Sequence, residues 1–161
     1  MTPGIAVLAL HFQNDVLHPE GKIRVGLGTQ DPARLALVDC AARLLQTARS
    51  QAWPIFHVRI AFRGDYADLA GNMPIMRRTR EVGAVREGEW GAEFFAALAP
   101  RQGAGEFVIT HKRISAFFGT DLEALLRLQQ VQRLVVAGVA THSVVEGTVR
   151  DAADRGFDVS V

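Results

Sequence analysis

Three histidines carry the chemistry open to this chain. His11 follows the apolar run Ile5–Leu10, His111 closes the run Glu106–His111, and His142 comes just after Leu134–Gly138. Each therefore falls at or just past the carboxyl end of a predicted strand. An imidazole titrates near pH ~6.5 and can accept or donate a proton at neutrality. Three rings converging in one crevice admit three uses. They could perform acid/base catalysis or hydrogen bond a substrate. They could line a pocket that binds without turnover. They could hold a metal with one position open to water, although no ligand spacing in the sequence supports a metal, and none is assigned. His57 lies mid-strand and His18 in a loop, so both read as structural.

The stretch Leu134–Thr148 joins strand to helix through a short turn. Such a junction points unpaired N–H groups and the positive end of a helix dipole into a crevice. Thr141, His142, Ser143 and Val144 open that helix and are the expected substrate-holding residues. Ser143 could act as a nucleophile beside a histidine base, but capping the turn is its commoner role. Phe12, Phe62, Trp90 and Phe117 are candidates for an apolar pocket wall, because small-molecule sites are mostly apolar. Core packing is the ordinary alternative for each.

Apolar runs at 5–10, 54–60, 106–111, 133–137 and 158–161 read as strands, the first buried on both faces as in a parallel sheet. Asp31-Pro32 is a helix start, a capping carboxylate before a first-turn proline. Leu35, Val38, Ala42 and Leu45 follow at helical spacing and predict the buried face. Cys40, in the same helix, reads as core filler. Residues 18–30 form a loop; Gly26 and Gly28 within it lack the third glycine and the preceding strand of a dinucleotide fingerprint. Residues 61–90, rich in glycine and arginine, read as a long irregular loop or lid, with Arg77, Arg78, Arg80 and Arg86 as a solvated edge and an anion site as the alternative. Trp90–Leu98 predicts a short helix. Thr120–Glu123 has the form of a capping box, and Gly156 is placed to end a helix running from about Thr141 to Arg155. Strands alternating with helices predict an α/β fold with a parallel sheet and helices on both faces.

At 161 residues the chain is long enough for one domain with a substantial core. Its net charge of +1 gives no bias toward nucleic acid or membrane. The one cysteine excludes an internal disulfide and a cysteine zinc cage. The first ten residues carry no Lys or Arg and do not read as a secretory signal. A cytoplasmic protein without a cofactor is expected.

Three blocks resemble the isochorismatase-like superfamily, the cysteine hydrolases. They are Leu10–Asp15; Val108–Leu126 with Arg113, Ser115–Phe117 and Gly119–Glu123; and Gly138–Thr141 with Glu146, Thr148 and Asp151–Gly156. The resemblance covers nearly the whole chain and implies a three-layer αβα domain over residues 1–161. It also implies a small-molecule hydrolase that forms oligomers, and a cis peptide between Val139 and Ala140. The family usually continues for one more strand and helix, so the chain reads as C-terminally short, a truncated chain or partial gene. The family's chemistry rests on an Asp, a Lys and a Cys. Carried over by position, these fall on His11, His111 and Val144. Lys112 is one place late, and on a strand that slip turns a side chain to the other face. Asp15 matches the motif's second acidic residue. True isochorismatases also lack the cysteine and carry a histidine soon after the Gly-Val dipeptide, as His142 does here.

A valine cannot become a nucleophile, so the covalent route of the family is closed at Val144. Two readings remain. The favoured one is a hydrolase of a small amide, urea or enol ether working by acid/base catalysis from His11 and His111. The alternative is an inactive relative that binds a small molecule or forms an assembly.

Overall fold

A computed structural model describes residues 4–23, 31–103 and 105–161. The loop reading over Gly26 and Gly28 lies outside the described residues. Five parallel strands form one sheet: β1 (Gly4–Leu10), β2 (Ile55–Ile60), β3 (Glu106–His111), β4 (Val131–Gly138) and β5 (Asp158–Ser160), in the order β3-β2-β1-β4-β5. The chain winds outward from β1 to β3 on one side, then crosses to β4 on the other. The crevice beyond the carboxyl ends of β1 and β4 is therefore the topological switch point, where open α/β sheets bind ligands.

Alternation along β1 feeds two cores. Ala6, Leu8 and Leu10 pack with Leu122 and Leu126 of α4 (Leu122–Leu128) and Ala152 of α5 (Glu146–Asp154). Val7 and Ala9 pack on the opposite face with Ala41, Leu45 and Ala48 of α2 (Pro32–Ser50). The short α1 (Asn14–Leu17) follows β1 directly. Helices thus cover both faces, giving the predicted three layers. Among the described residues no helix is long and apolar enough to cross a membrane.

The start of α2 is as predicted: the Asp31 carboxylate accepts from the Ala33 N–H at 2.9 Å. Its buried face is only partly so: Leu45 is buried, and Val38 and Ala42 are half-buried. Leu35 is 69% exposed and Cys40 is exposed, whereas Arg34, Ala41, Leu45 and Ala48 are buried. The helix seats its alanines on the sheet because small side chains allow close approach. That rotates the larger Leu35 outward, against the pull of apolar burial.

The segment after β2 is more ordered than a loop. It contains α3 (Pro74–Glu81), with proline in the first turn, and its own apolar cluster including Phe62, Tyr66, Met76 and Val85. The Tyr66 hydroxyl donates to the Ala84 carbonyl at 2.7 Å. Trp90–Leu98 is not one helix. Two 3-10 turns, Trp90–Ala92 and Ala96–Leu98, flank a stretch paired with Gln13 through Phe94. Backbone bonds from the Asn14 N–H to Glu93 and from the Phe95 N–H to Phe12 hold that stretch extended. The reciprocal capping box at Thr120–Glu123 is also absent: Thr120 Oγ1 donates to Ala116, and Glu123 pairs with Arg155 and Arg127. Gly156 ends α5 with φ of 82°, a conformation that suits glycine.

Candidate active site

The residue after β1 makes the site. His11 leaves the strand with φ of 59°, a left-handed backbone that histidine enters more readily than most residues. Its N–H still bonds the Val58 carbonyl at 2.9 Å, so the side chain departs from a backbone anchored to β2. His111 ends β3 opposite Ile60. Because β2 lies between β1 and β3, the two histidines start from backbones two strand spacings apart. Two imidazoles reaching toward each other close that gap. Their Nε2 atoms meet at 2.6 Å, with ring centroids 4.9 Å apart.

Hydrogen bonding sets the proton positions. The Ser115 carbonyl lies 3.2 Å from His111 Nδ1. A carbonyl can only accept, so Nδ1 carries hydrogen. In neutral His111 the Nε2 lone pair then faces His11, and His11 Nε2–H donates into it. This leaves His11 Nδ1 as the free base of the pair. Ser115 is itself fixed: its hydroxyl donates to Asp151 at 2.6 Å, and Thr148 Oγ1 accepts from the next N–H at 3.1 Å. Burial, then the neighbouring His111 charge, holds His11 well below the usual imidazole range; the Val139 backbone, which can accept from the protonated ring, opposes this. Burial brings His111 down to about 4, opposed by the Ser115 bond. Both rings are neutral at pH 7.

Those shifts have a consequence for stability. The unfolded chain binds protons at histidine near pH ~6.5, before the folded rings do. Stability is therefore full above pH ~6.5 and falls with acidification, down to about 4, the value for His111. His57, also lowered by burial although Glu106 pulls the other way, adds to the same slope. Denaturant unfolding across this range should show a loss on the order of 3 kcal/mol attributable to His111, and His111→Phe should flatten the slope. A pH-independent stability would contradict the assignment.

Beside the pair lies a cavity of about 510 Å³. Its walls include His11, Ile60, Met76, Val85, Ser143 and Val144. Val144 is 1% exposed and sits in a π-helical turn, Thr141–Val145, that leads into α5. The Val139–Ala140 peptide before that turn is cis. Among the expected substrate-holding residues, Ser143 and Val144 line the cavity. Thr141 and His142 are exposed and outside its lining. The first turn of the helix winds His142 outward, so two rings meet instead of three. Among the described residues no group of three or more His, Cys, Asp or Glu side chains could hold a metal.

None of the four aromatic candidates lines this cavity. Phe12, Phe62 and Phe117 are buried in the three apolar clusters, and Trp90 is 47% exposed against His18 at a separate hollow. Aliphatic side chains form the wall in their place. Lys112 is turned away as its register requires; its ammonium bonds Asp68 at 2.6 Å and the Ala61 carbonyl at 2.9 Å.

The polar residues after His11 brace the site. Buried Gln13 donates to the Ile60 and Ala92 carbonyls at 2.9 and 2.8 Å and accepts from the Ile60 N–H at 2.9 Å. Buried Asp15 accepts from the Lys22 N–H at 3.0 Å and the Val85 N–H at 2.7 Å. Sequence reasoning missed the cavity residues Lys22, Ile75, Met76 and Thr79. Pro74, a first-turn proline after Met73, was the available signal for the helix that carries three of them.

Residues 5–161 match the profile of the isochorismatase domain. The chain is 32% identical over 138 residues to maleamate amidohydrolase of Pseudomonas putida, covering 86% of this chain and 63% of that protein. It is 25% identical over 158 residues to ureidoacrylate amidohydrolase of Azorhizobium caulinodans, covering 91% and 68%. The crystal structure of an isochorismatase family protein from Desulfovibrio vulgaris superposes with a TM-score of 0.84 at 32% identity, covering 98% of this chain and 78% of that one. The chain thus spans about two thirds of the length of the two amidohydrolases.

Proposed function

The chain belongs to the isochorismatase family, and we propose that it is a hydrolase of a small amide-, urea- or enol-ether-type molecule that works without a covalent intermediate. The observation that carries this is the 2.6 Å contact between His11 and His111 beside a cavity whose Val144 offers no lone pair. The amidohydrolase names of two relatives favour an amide among these classes.

In this reading His11 is the catalytic acid/base and His111 acts through it, by the contact between their Nε2 atoms. His11 takes a proton from a water as that water attacks the substrate carbonyl. The turn at Ser143–Val144 lies against the cavity, and an N–H of this helix opening not already bonded within the turn would stabilise the developing oxyanion. The proton held by the pair then passes to the leaving nitrogen as the C–N bond breaks, leaving a carboxylic acid and an amine. Because burial disfavours the imidazolium, His11 returns its proton readily. Ser143 shapes the cavity and takes no part in bond making. Self-association and a cytoplasmic location belong to the same proposal, as family traits.

A panel of amides, ureas and enol ethers tests the function. Turnover of one class with linear product formation from the first enzyme equivalent is expected. A burst of one equivalent, or an adduct trapped on Ser143, would overturn the non-covalent route. No turnover of any class would favour the inactive, ligand-binding or assembly-forming relative.

A further inference from the structure

The helix that opens at the cavity also grips the turn that fixes His111. Gly147, Thr148 and Asp151 of α5, with Arg155 just past its end, follow one another at spacings of three and four and share one helix face. That face meets the segment Ile114–Phe117 beyond β3. Gly147 allows the close approach, since a Cβ there would stand 2.6 Å from Ile114 Cγ2. Thr148 Oγ1 accepts from the Ala116 N–H at 3.1 Å. Asp151 Oδ2 accepts from the Ser115 hydroxyl at 2.6 Å, and that hydroxyl accepts in turn from the Phe117 N–H at 3.2 Å. Arg155 lies over the Phe117 ring at 5.1 Å and donates to Asp151 Oδ1 at 2.8 Å.

This clamp bears on the His111 proton. The Ser115 carbonyl lies 3.2 Å from His111 Nδ1 and also accepts from the Phe118 N–H at 3.3 Å. Its aim therefore depends on the shape of the turn. Were hydrogen to move from Nδ1 to Nε2, an N–H of His111 would face the N–H of His11 across 2.6 Å, and the pair would lose its acceptor. A carboxylate suits the task, because a charge-assisted hydrogen bond is roughly twice as strong as a neutral one. Neither Asp151 nor Ser115 lines the cavity, so neither touches a substrate held there.

We propose that Asp151 is a positioning residue for the histidine pair. Through the Ser115 hydroxyl it holds the turn, aims the Ser115 carbonyl at His111 Nδ1, and so selects the tautomer whose Nε2 accepts from His11. Its effect on turnover rests on the hydrolase reading above; its effect on the tautomer does not.

Nitrogen chemical shifts of isotope-labelled histidine read the tautomer near neutral pH, in the folded protein and without substrate. Wild-type His111 is expected in the Nδ1–H form alone. Asp151→Ala and Ser115→Ala should each give a mixture with the Nε2–H form. The double variant should shift no further than the stronger single one, because both changes break the same bond. Asp151→Asn keeps an oxygen for the Ser115 hydroxyl and should retain most of the wild-type form. For a substrate that is turned over, kcat should fall roughly tenfold in the alanine variants at an unchanged KM, with Asp151→Asn recovering most of the loss. Should Asp151→Ala fail to fold, Ser115→Ala, which removes only a hydroxyl, makes the same test. Lower stability with His111 still wholly in the Nδ1–H form would make Asp151 structural only and overturn the proposal. So would effects of the two alanine substitutions that add in the double variant, or a wild-type His111 in the Nε2–H form. The expected tautomer shift in a protein that turns over no amide, urea or enol ether leaves the positioning standing and sinks the hydrolase reading.

Discussion

Replacing His11 with asparagine is expected to lower kcat/KM for the best amide substrate by about 10²–10⁴-fold, the usual contribution of a positioned acid/base group. Asparagine is the informative choice because it tolerates the left-handed backbone seen at this position. It keeps a polar side chain but has no proton to exchange near neutrality. His111→Gln should cost less, since His111 acts through the bond it accepts from His11 Nε2 and touches no cavity space. The pH profile provides a readout that misplacement alone would not move. Both imidazoles are held below their usual range. Wild-type activity should therefore persist well below pH ~6.5 before its acid limb begins. Full activity in His11→Asn would remove this residue from the mechanism. An acid limb centred at the free imidazole value would show that the rings are not buried as described.

The second large effect is on stability. Gln13→Ala should destabilise the fold by about 3–5 kcal/mol, because it removes three buried hydrogen bonds and strands backbone groups of Ile60 and Ala92. Gln13 is 0% exposed, so the three bonds it makes are shielded from solvent in the folded state. The loss should appear in the denaturant midpoint at an unchanged slope. It should also reduce activity, since Gln13 ties the end of β2 to the 3-10 turn at Trp90–Ala92, beside the strand that His11 and His111 bridge. A loss below about 1 kcal/mol would mean that the surrounding backbone finds other partners.

The strands were legible because burial on both faces demands continuous apolar runs, and Ile5–Leu10 has no other use. With five such runs and helices between them, the parallel α/β sheet and its switch point follow from connection rules that hold across proteins. The placement of His11 and His111 at carboxyl ends was legible for the same reason. Helix faces were less so. In α2 the sizes of Ala41 and Ala48 outweighed the hydrophobicity of Leu35, a packing choice made only once the sheet is present to be packed upon.

Local order thus follows from residue type and period, which are properties of short stretches. The site depends on distances between stretches far apart in the chain. No pattern in the sequence says that His11 and His111 meet across β2 while His142 turns to solvent, or that aliphatic side chains from α3, in place of Phe12, Phe62, Trp90 and Phe117, wall the cavity. Those outcomes rest on a left-handed residue, a wide turn at Thr141–Val145 and a helix docked by its own small core. Each is settled by what the rest of the fold leaves room for.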